Sequence, residues 1–374
     1  MSGSRLAACA ALAAVLCMGA MSGPASAAAA NDVPRYRVDP SWPKDLPNNW
    51  IVGQIGGVSI DSQDHIWVLQ RPRSLSAFEL GAEQKPPRSI CCVSAPAVVQ
   101  FDKAGNVLKS WGGPGHVPNW PRQEHAIFVD RGNNVWISGN AATDRHIIKF
   151  SADGRQLLQI GSPGEGPKNN QDTTRLFQPA DIYVDDAANE VYIADGYGNN
   201  RVVVYDSNTG AFKRGWGAYG IPLEQISNER APAYVANQTP SKQFGNPVHC
   251  VRVARDGMVY VCDRTGNRIQ VFTKAGQYVK ELFLRPETLG SGSAFSVAFS
   301  HDRDQKYLLV ADGESNVISI LRRDDGVEVG RIGRSGRNAG HFHMIHQVAM
   351  DSNGDIYTGE VDNGMRLQKF TLVK

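Results

Sequence analysis

The feature that most constrains this chain is a unit that recurs along it: a short apolar strand, a turn rich in Asp, Asn and Gly, then a second strand of Val, Ile, Trp and Tyr. The first copy runs Val58-Ser59-Ile60-Asp61 into Ile66-Trp67-Val68, and the second runs Ile127-Phe128-Val129-Asp130 into Val135-Trp136-Ile137. Ile182-Tyr183-Val184-Asp185 precedes Val191-Tyr192-Ile193, and Val251-Arg252-Val253 precedes Val259-Tyr260-Val261. Val297-Ala298-Phe299 before Leu308-Leu309-Val310, and Val348-Ala349-Met350-Asp351 before Ile356-Tyr357-Thr358, complete a set of six. Most copies continue into a third strand such as Arg201-Val202-Val203-Val204-Tyr205, and several close on a fourth ending in Trp-Gly or Ile-Gly, as at Trp216-Gly217 and Ile332-Gly333. A unit of this size cannot bury its own apolar strands, but stacked neighbours can, so a fixed period implies a repeat architecture. Four short antiparallel strands repeated six times predict an all-β, six-bladed β-propeller. The last copy stops after its third strand at Lys369-Phe370-Thr371-Leu372, and Tyr36-Arg37-Val38 is available to supply its outer strand. That would leave no open sheet edge at the seam.

The propeller is predicted over 31–374. Ahead of it, a basic start ending at Arg5, an apolar run from Leu6 to about Met21 and the small-residue site Ala25-Ser26-Ala27 read as a secretory signal peptide cleaved near Ala27. The expectation is a secreted or periplasmic protein with no membrane span and a monomeric state. Lys+Arg 39 against Asp+Glu 37 leaves no strong field, which argues against nucleic acid as a partner. In an exported chain, Cys250 and Cys262 can pair across a hairpin or remain two small buried residues, and both readings are open. Cys91-Cys92 sits in a Pro-rich insertion at about 71–96, and a second insertion covers 218–243. Long loops on a regular scaffold commonly shape a binding face.

The chemistry appears when the six units are aligned. Four residues before the last core residue of the innermost strand, blades one to six carry Gly56, His125, Ala180, His249, Phe295 and His346. Alternate blades of a sixfold ring stand roughly 120° apart about the channel axis, so three imidazoles converge there. Three neutral histidines with an open fourth position describe a catalytic zinc site. The competing reading is three separately satisfied histidines in a polar channel. His65, His116, His146, His301, His341 and His343 share no register and read as surface or loop residues. At the exits of the second strands, on the rim that the histidines share, stand Arg71, Tyr197 and Arg264. Two guanidinium groups suit a carboxylate, and a phenol beside a cation suits proton transfer.

These residues resemble the peptidyl-α-hydroxyglycine α-amidating lyase, an NHL-repeat propeller. The resemblance covers about residues 50–372. It is sharpest in Phe177-Gln178-Pro179-Ala180-Asp181 through Asp195-Gly196-Tyr197-Gly198-Asn199-Asn200-Arg201, in Pro247-Val248-His249 through Asp263-Arg264-Thr265-Gly266-Asn267-Arg268, and from His343-Met344-Ile345-His346 to Phe370. It implies zinc on His125, His249 and His346, a catalytic Tyr197, active-site arginines at Arg71 and Arg264, and Met344 lining the site. The implied substrate is a small molecule or peptide bearing a carboxylate, whose α-hydroxyglycine C–N bond is broken to give an amide and glyoxylate. A structural calcium is also implied, on the carbonyls of Val58 and Ile127 and on an aspartate whose place is taken here by Gln347, an uncharged ligand. Gly198 and Tyr260 stand where that family carries cysteines. Two other function classes stay open: a metal-dependent hydrolase such as a lactonase on the same fold, and a non-catalytic propeller serving as a binding scaffold.

Overall fold

A computed structural model of the chain describes Met1 and residues 33–229 and 231–373. The signal peptide read at 1–30 lies outside the described residues. Six four-stranded antiparallel sheets follow one another along the chain, each ordered from an innermost strand outward. The innermost strands are Gln54–Ile60, Glu124–Val129, Asp181–Asp185, Val248–Val253, Ser296–Phe299 and Ile345–Met350. The architecture is the predicted six-bladed β-propeller, all-β with only short 3-10 turns among the described residues. In the sixth blade the outer strand is Arg35–Asp39, which pairs antiparallel with Leu367–Val373, placing Tyr36 opposite Leu372 and Val38 opposite Phe370.

In blades one, two and six the recurring Asp explains how the unit folds locally. Asp61 closes the first innermost strand and accepts from the backbone of Gln63 and His65 (both 2.9 Å), while its other oxygen takes the Trp67 indole N–H at 2.9 Å. Asp130 repeats this with Asn134 N–H at 2.8 Å and Trp136 Nε1 at 3.1 Å, and Asp351 with Asn353, Asp355 and the Tyr357 hydroxyl. One carboxylate thus fixes the turn and pins the aromatic residue of the second strand, satisfying groups that burial would otherwise leave unpaired.

The core is a ring of layers between blades. Tyr192, Val202, Val204 and Trp216 of blade three pack on Val251, Val253 and Val261 of blade four, and Tyr260, Ile269 and Val271 pack on Val297, Leu308 and Val310 of blade five. Each sheet therefore buries both faces, which is why its inner strands are continuously apolar and not alternating. Cys250 and Cys262 lie directly opposite each other in their hairpin and form a disulfide, and Cys91 and Cys92 form a second one. Among the described residues, no helix is long and apolar enough to cross a membrane.

Candidate metal centre

The histidine register is built by a break in the strand ladder. In blades two, four and six the pairing shifts by one residue where the histidine stands: between Glu124 and Ala126, between Val248 and Cys250, and between Ile345 and Gln347. His125, His249 and His346 are thus the extra residues of β-bulges, devices that re-aim a side chain out of the ladder. All three are buried, at 0%, 0% and 2% exposure. Their metal-capable nitrogens lie within 4.8 Å of one another.

Each ring is held by the neighbouring blade. His125 Nδ1 donates to the Ala180 carbonyl at 2.7 Å, His249 Nδ1 to the Phe295 carbonyl at 2.6 Å, and His346 Nδ1 to the Gly56 carbonyl at 3.0 Å. A carbonyl only accepts, so Nδ1 carries the proton in each ring and Nε2 presents a lone pair to the centre. Burial holds all three well below the ordinary histidine range. The other imidazoles and Arg71 add to this at His125, Arg264 and His346 at His249, and the two arginines at His346. Neutral, oriented imidazoles are the state in which a metal is ligated.

The rim residues meet this cluster. The Tyr197 hydroxyl lies 3.1 Å from Nε2 of both His125 and His249, and Arg264 Nη1 donates to the same oxygen at 3.0 Å. The Arg264 guanidinium also stacks over Phe295, 4.7 Å from the ring centre. Arg71 is aimed by Nε to the Glu124 carbonyl at 2.6 Å and Nη1 to Gln54 at 2.7 Å. A single hydroxyl proton can serve only one of the two nitrogens that Tyr197 touches. The centre therefore holds more lone pairs than protons, and a cation satisfies it. Three buried histidines close together can bind a metal. Met344 stands immediately before the sixth innermost strand, half-buried, with a left-handed backbone (φ 53°) held by Asn316 and Val361.

The calcium set fits less well. Gln347 is buried, its amide oxygen already accepts from Ser296 at 2.9 Å, and its amide nitrogen has no partner among the described residues. Val58 and Ile127 add neutral carbonyls only. The buried carboxylate one residue past the register position in blade three, Asp181, gives one oxygen to Arg252 and the Val251 N–H, while its Oδ1 has no partner among the described residues. A hard dication needs charged oxygens that this trio lacks.

Three features were not read from the sequence: His146, Glu124 and the carbonyls that hold the imidazoles. His146 is buried at 1% exposure, with Nε2 on the Asn119 carbonyl at 2.7 Å, so it is an internal residue of blade two, not a surface one. Glu124, directly before His125, is buried. Its Oε1 takes the Trp120 indole at 2.7 Å, Oε2 has no partner among the described residues, and burial raises its pKa. The Glu-His dipeptide was the available signal. The three carbonyl acceptors had none, because backbone groups leave no mark in composition.

Residues 178–205, which lie in blade three, match the NHL repeat. The chain is 25% identical over 333 residues to "Peptidyl-glycine alpha-amidating monooxygenase B" of Xenopus laevis, covering 86% of this chain and 34% of that protein. It is 26% identical over 297 residues to "NHL repeat-containing protein 3" of Mus musculus, covering 77% of this chain and 70% of the other. It is 19% identical over 315 residues to "Probable peptidyl-alpha-hydroxyglycine alpha-amidating lyase pgal-1" of Caenorhabditis elegans, covering 83% and 81%. The chain spans about a third of the length of the monooxygenases that it matches.

Proposed function

We propose that this protein is a zinc-dependent lyase that breaks the C–N bond of an α-hydroxyglycine-type carbinolamide, releasing an amide and glyoxylate, and that it works outside the cytoplasm. The observation that carries the reading is the meeting of three neutral imidazoles, a phenol and a guanidinium: the Tyr197 hydroxyl lies 3.1 Å from two Nε2 atoms and 3.0 Å from Arg264. Similarity to proteins named as amidating enzymes supports the substrate class.

His125, His249 and His346 would hold the metal, leaving the rim side open. Zinc in such a site supplies Lewis acidity and a fixed positive charge. Arg71 and Arg264 bring two further positive charges to the same rim, and these bind and orient the substrate carboxylate. The Tyr197 oxygen takes the proton of the substrate hydroxyl as its own proton passes to the leaving nitrogen, and Arg264 Nη1 compensates the charge that develops on that oxygen. As the hydroxyl carbon becomes an aldehyde, the bond electrons leave with the amide nitrogen. That nitrogen takes the phenol proton of Tyr197, which keeps the substrate's proton in its place. The proton account closes without water, so the reaction is an elimination and not a hydrolysis.

Glyoxylate release from an N-acyl-α-hydroxyglycine by zinc-loaded protein, compared with His249→Ala, tests the reading. Zinc-dependent release that the variant loses is expected. Release no faster than the spontaneous reaction, with zinc bound, would overturn it. A protein without stoichiometric zinc would instead point to a propeller that serves as a binding scaffold.

A further inference from the structure

The innermost strands start at the histidine level and run to the opposite mouth of the ring, where a cavity of about 380 Å³ is lined by residues of five blades. Val58, Val297 and Val348 mark its inner end, two positions beyond Gly56, Phe295 and His346 and so about 7 Å along the strands from the imidazoles. At the position between them stand Ser296 and Gln347, bonded to each other at 2.9 Å, and the buried Asp181. The cavity is thus separate from the metal centre. Its volume falls within the range of ligand sites, roughly 300–1,000 Å³.

Two guanidinium groups of blade four, Arg252 and Arg255, line this mouth. Arg252 spends only Nη1 on the protein, on the Asp181 carboxylate behind it and the Val251 carbonyl at 2.7 Å. Its Nε and Nη2 have no partner among the described residues. Arg255 is held in the same way, by Nη1 on the Asp302 carbonyl at 2.8 Å, which leaves its Nε and Nη2 to the cavity side or to water. The Ser59 hydroxyl accepts from the Val129 N–H at 3.0 Å and keeps its own proton to donate. Asp351 is the one carboxylate among the lining residues, and it is spent elsewhere. It takes the N–H groups of Asn353 and Asp355 and the Tyr357 hydroxyl, with Lys103 at 3.8 Å, and its side chain is 0% exposed. Asp181 offsets one of the two positive charges, so the mouth keeps a net positive charge and an excess of donors. Phe128, Phe299 and Met350 add apolar surface to it.

We propose that this mouth of the channel is a second binding site, for a small organic acid. Its carboxylate is taken by the free N–H groups of Arg252 and Arg255, which suit a planar oxyanion, and its apolar body lies against Phe128, Phe299 and Met350. A cationic ligand finds no free carboxylate here, and an inorganic oxyanion leaves the apolar wall uncovered. The site shares no residue with the histidine centre, so it stands or falls independently of the lyase reading.

Calorimetric titration with phenylacetate and with its neutral isostere phenylacetamide tests this. It is done on zinc-loaded protein carrying Arg264→Gln, which weakens the opposite rim as a rival carboxylate site. The acid is expected to bind at least about tenfold more tightly than the amide, the value of a hydrogen bond to a charged group. Adding Arg255→Gln, at an exposed side chain, should cost the acid about tenfold and the amide nothing, with folding checked by melting temperature. Crystals soaked in 4-bromophenylacetate should show anomalous bromine density at the mouth between Arg252 and Arg255. Equal affinity for acid and amide, no binding of the acid, indifference to Arg255→Gln, or bromine only at the histidine rim would overturn the site. Displacement of phenylacetate by an equal concentration of inorganic phosphate would overturn the assignment to an organic acid.

Discussion

Gly56 gives the sharpest test of how the metal centre is built, because it touches two ligands and is neither. A Cβ at this position would lie 2.9 Å from the carbonyl oxygens of both Glu124 and His125, and 3.1 Å from His125 Cα. Ordinary contact begins near 3.4 Å, so Gly56→Ala forces the two blades apart by about 0.5 Å. All three contacts are backbone, and no side chain is free to swing away. The Gly56 carbonyl is also the acceptor that orients His346 Nδ1 at 3.0 Å. One methyl group therefore displaces the His125 bulge and the His346 anchor together. Metal sites tolerate ligand shifts of about 0.2 Å, and loss of a supporting bond to a ligand costs about 10–100-fold in affinity. Gly56→Ala is expected to weaken zinc binding by that factor, read by competition with a chromogenic chelator. Overpacking should lower the stability of the metal-free protein by about 1–3 kcal/mol. Zinc affinity within twofold of wild type would refute the argument, because it would mean that the carbonyl ring does not position the imidazoles.

Two further outcomes follow, one at the same centre and one at an ion pair in blade three. Tyr197→Phe removes a hydroxyl that lies within bonding distance of two Nε2 atoms and should cut glyoxylate release by about 10²–10⁴-fold with zinc retained; loss of zinc as well would make it a metal-retaining residue instead. Glu190 is gripped by Arg214 at 2.7 and 2.6 Å and accepts the Tyr192 hydroxyl at 2.8 Å, and the Arg214 hydrogen bonds pull its pKa down to about 2 from 4.5. Its folded pKa lies below its unfolded one, so its contribution is complete above about pH 4.5 and disappears as the pH falls toward 2. Glu190→Gln should cost about 1–2 kcal/mol at pH 7, a figure discounted for solvent screening, and should flatten the acid limb of urea midpoints; an unchanged acid limb would refute it.

The fold was legible because its repeat is written in side chains. Val-x-Ile-Asp before a Trp or Tyr strand reflects a real bond, from the Asp61 and Asp130 carboxylates to the Trp67 and Trp136 indoles. The three histidines were legible for a related reason: identical residues at one register in alternate units. The bulges that turn them inward were not, since an extra residue in a strand looks like any other residue until its pairing is known. The acceptors on Gly56, Ala180 and Phe295 were hidden because only their backbones act. His146 was misread because it shares no register with the other histidines, whereas it begins the third strand of blade two and bonds the Asn119 carbonyl.

The division of labour between odd and even blades deepens the case for a built site. A trigonal set of imidazoles needs three donors around one axis, and each donor needs its second nitrogen held. That makes six partners at one level, and a six-bladed ring offers six backbones there. Even blades supply the side chains, and the next odd blade in each case supplies the carbonyl: blade three to His125, blade five to His249, blade one to His346. A ring with an odd number of blades could not alternate these roles without setting two like blades side by side. Histidines satisfied one at a time by whatever lay nearby would have no reason to take the same acceptor in every case. Nor would they expose the same nitrogen to a common centre. The repetition of the second bond, more than the presence of three histidines, is what favours a metal cradle over a polar channel.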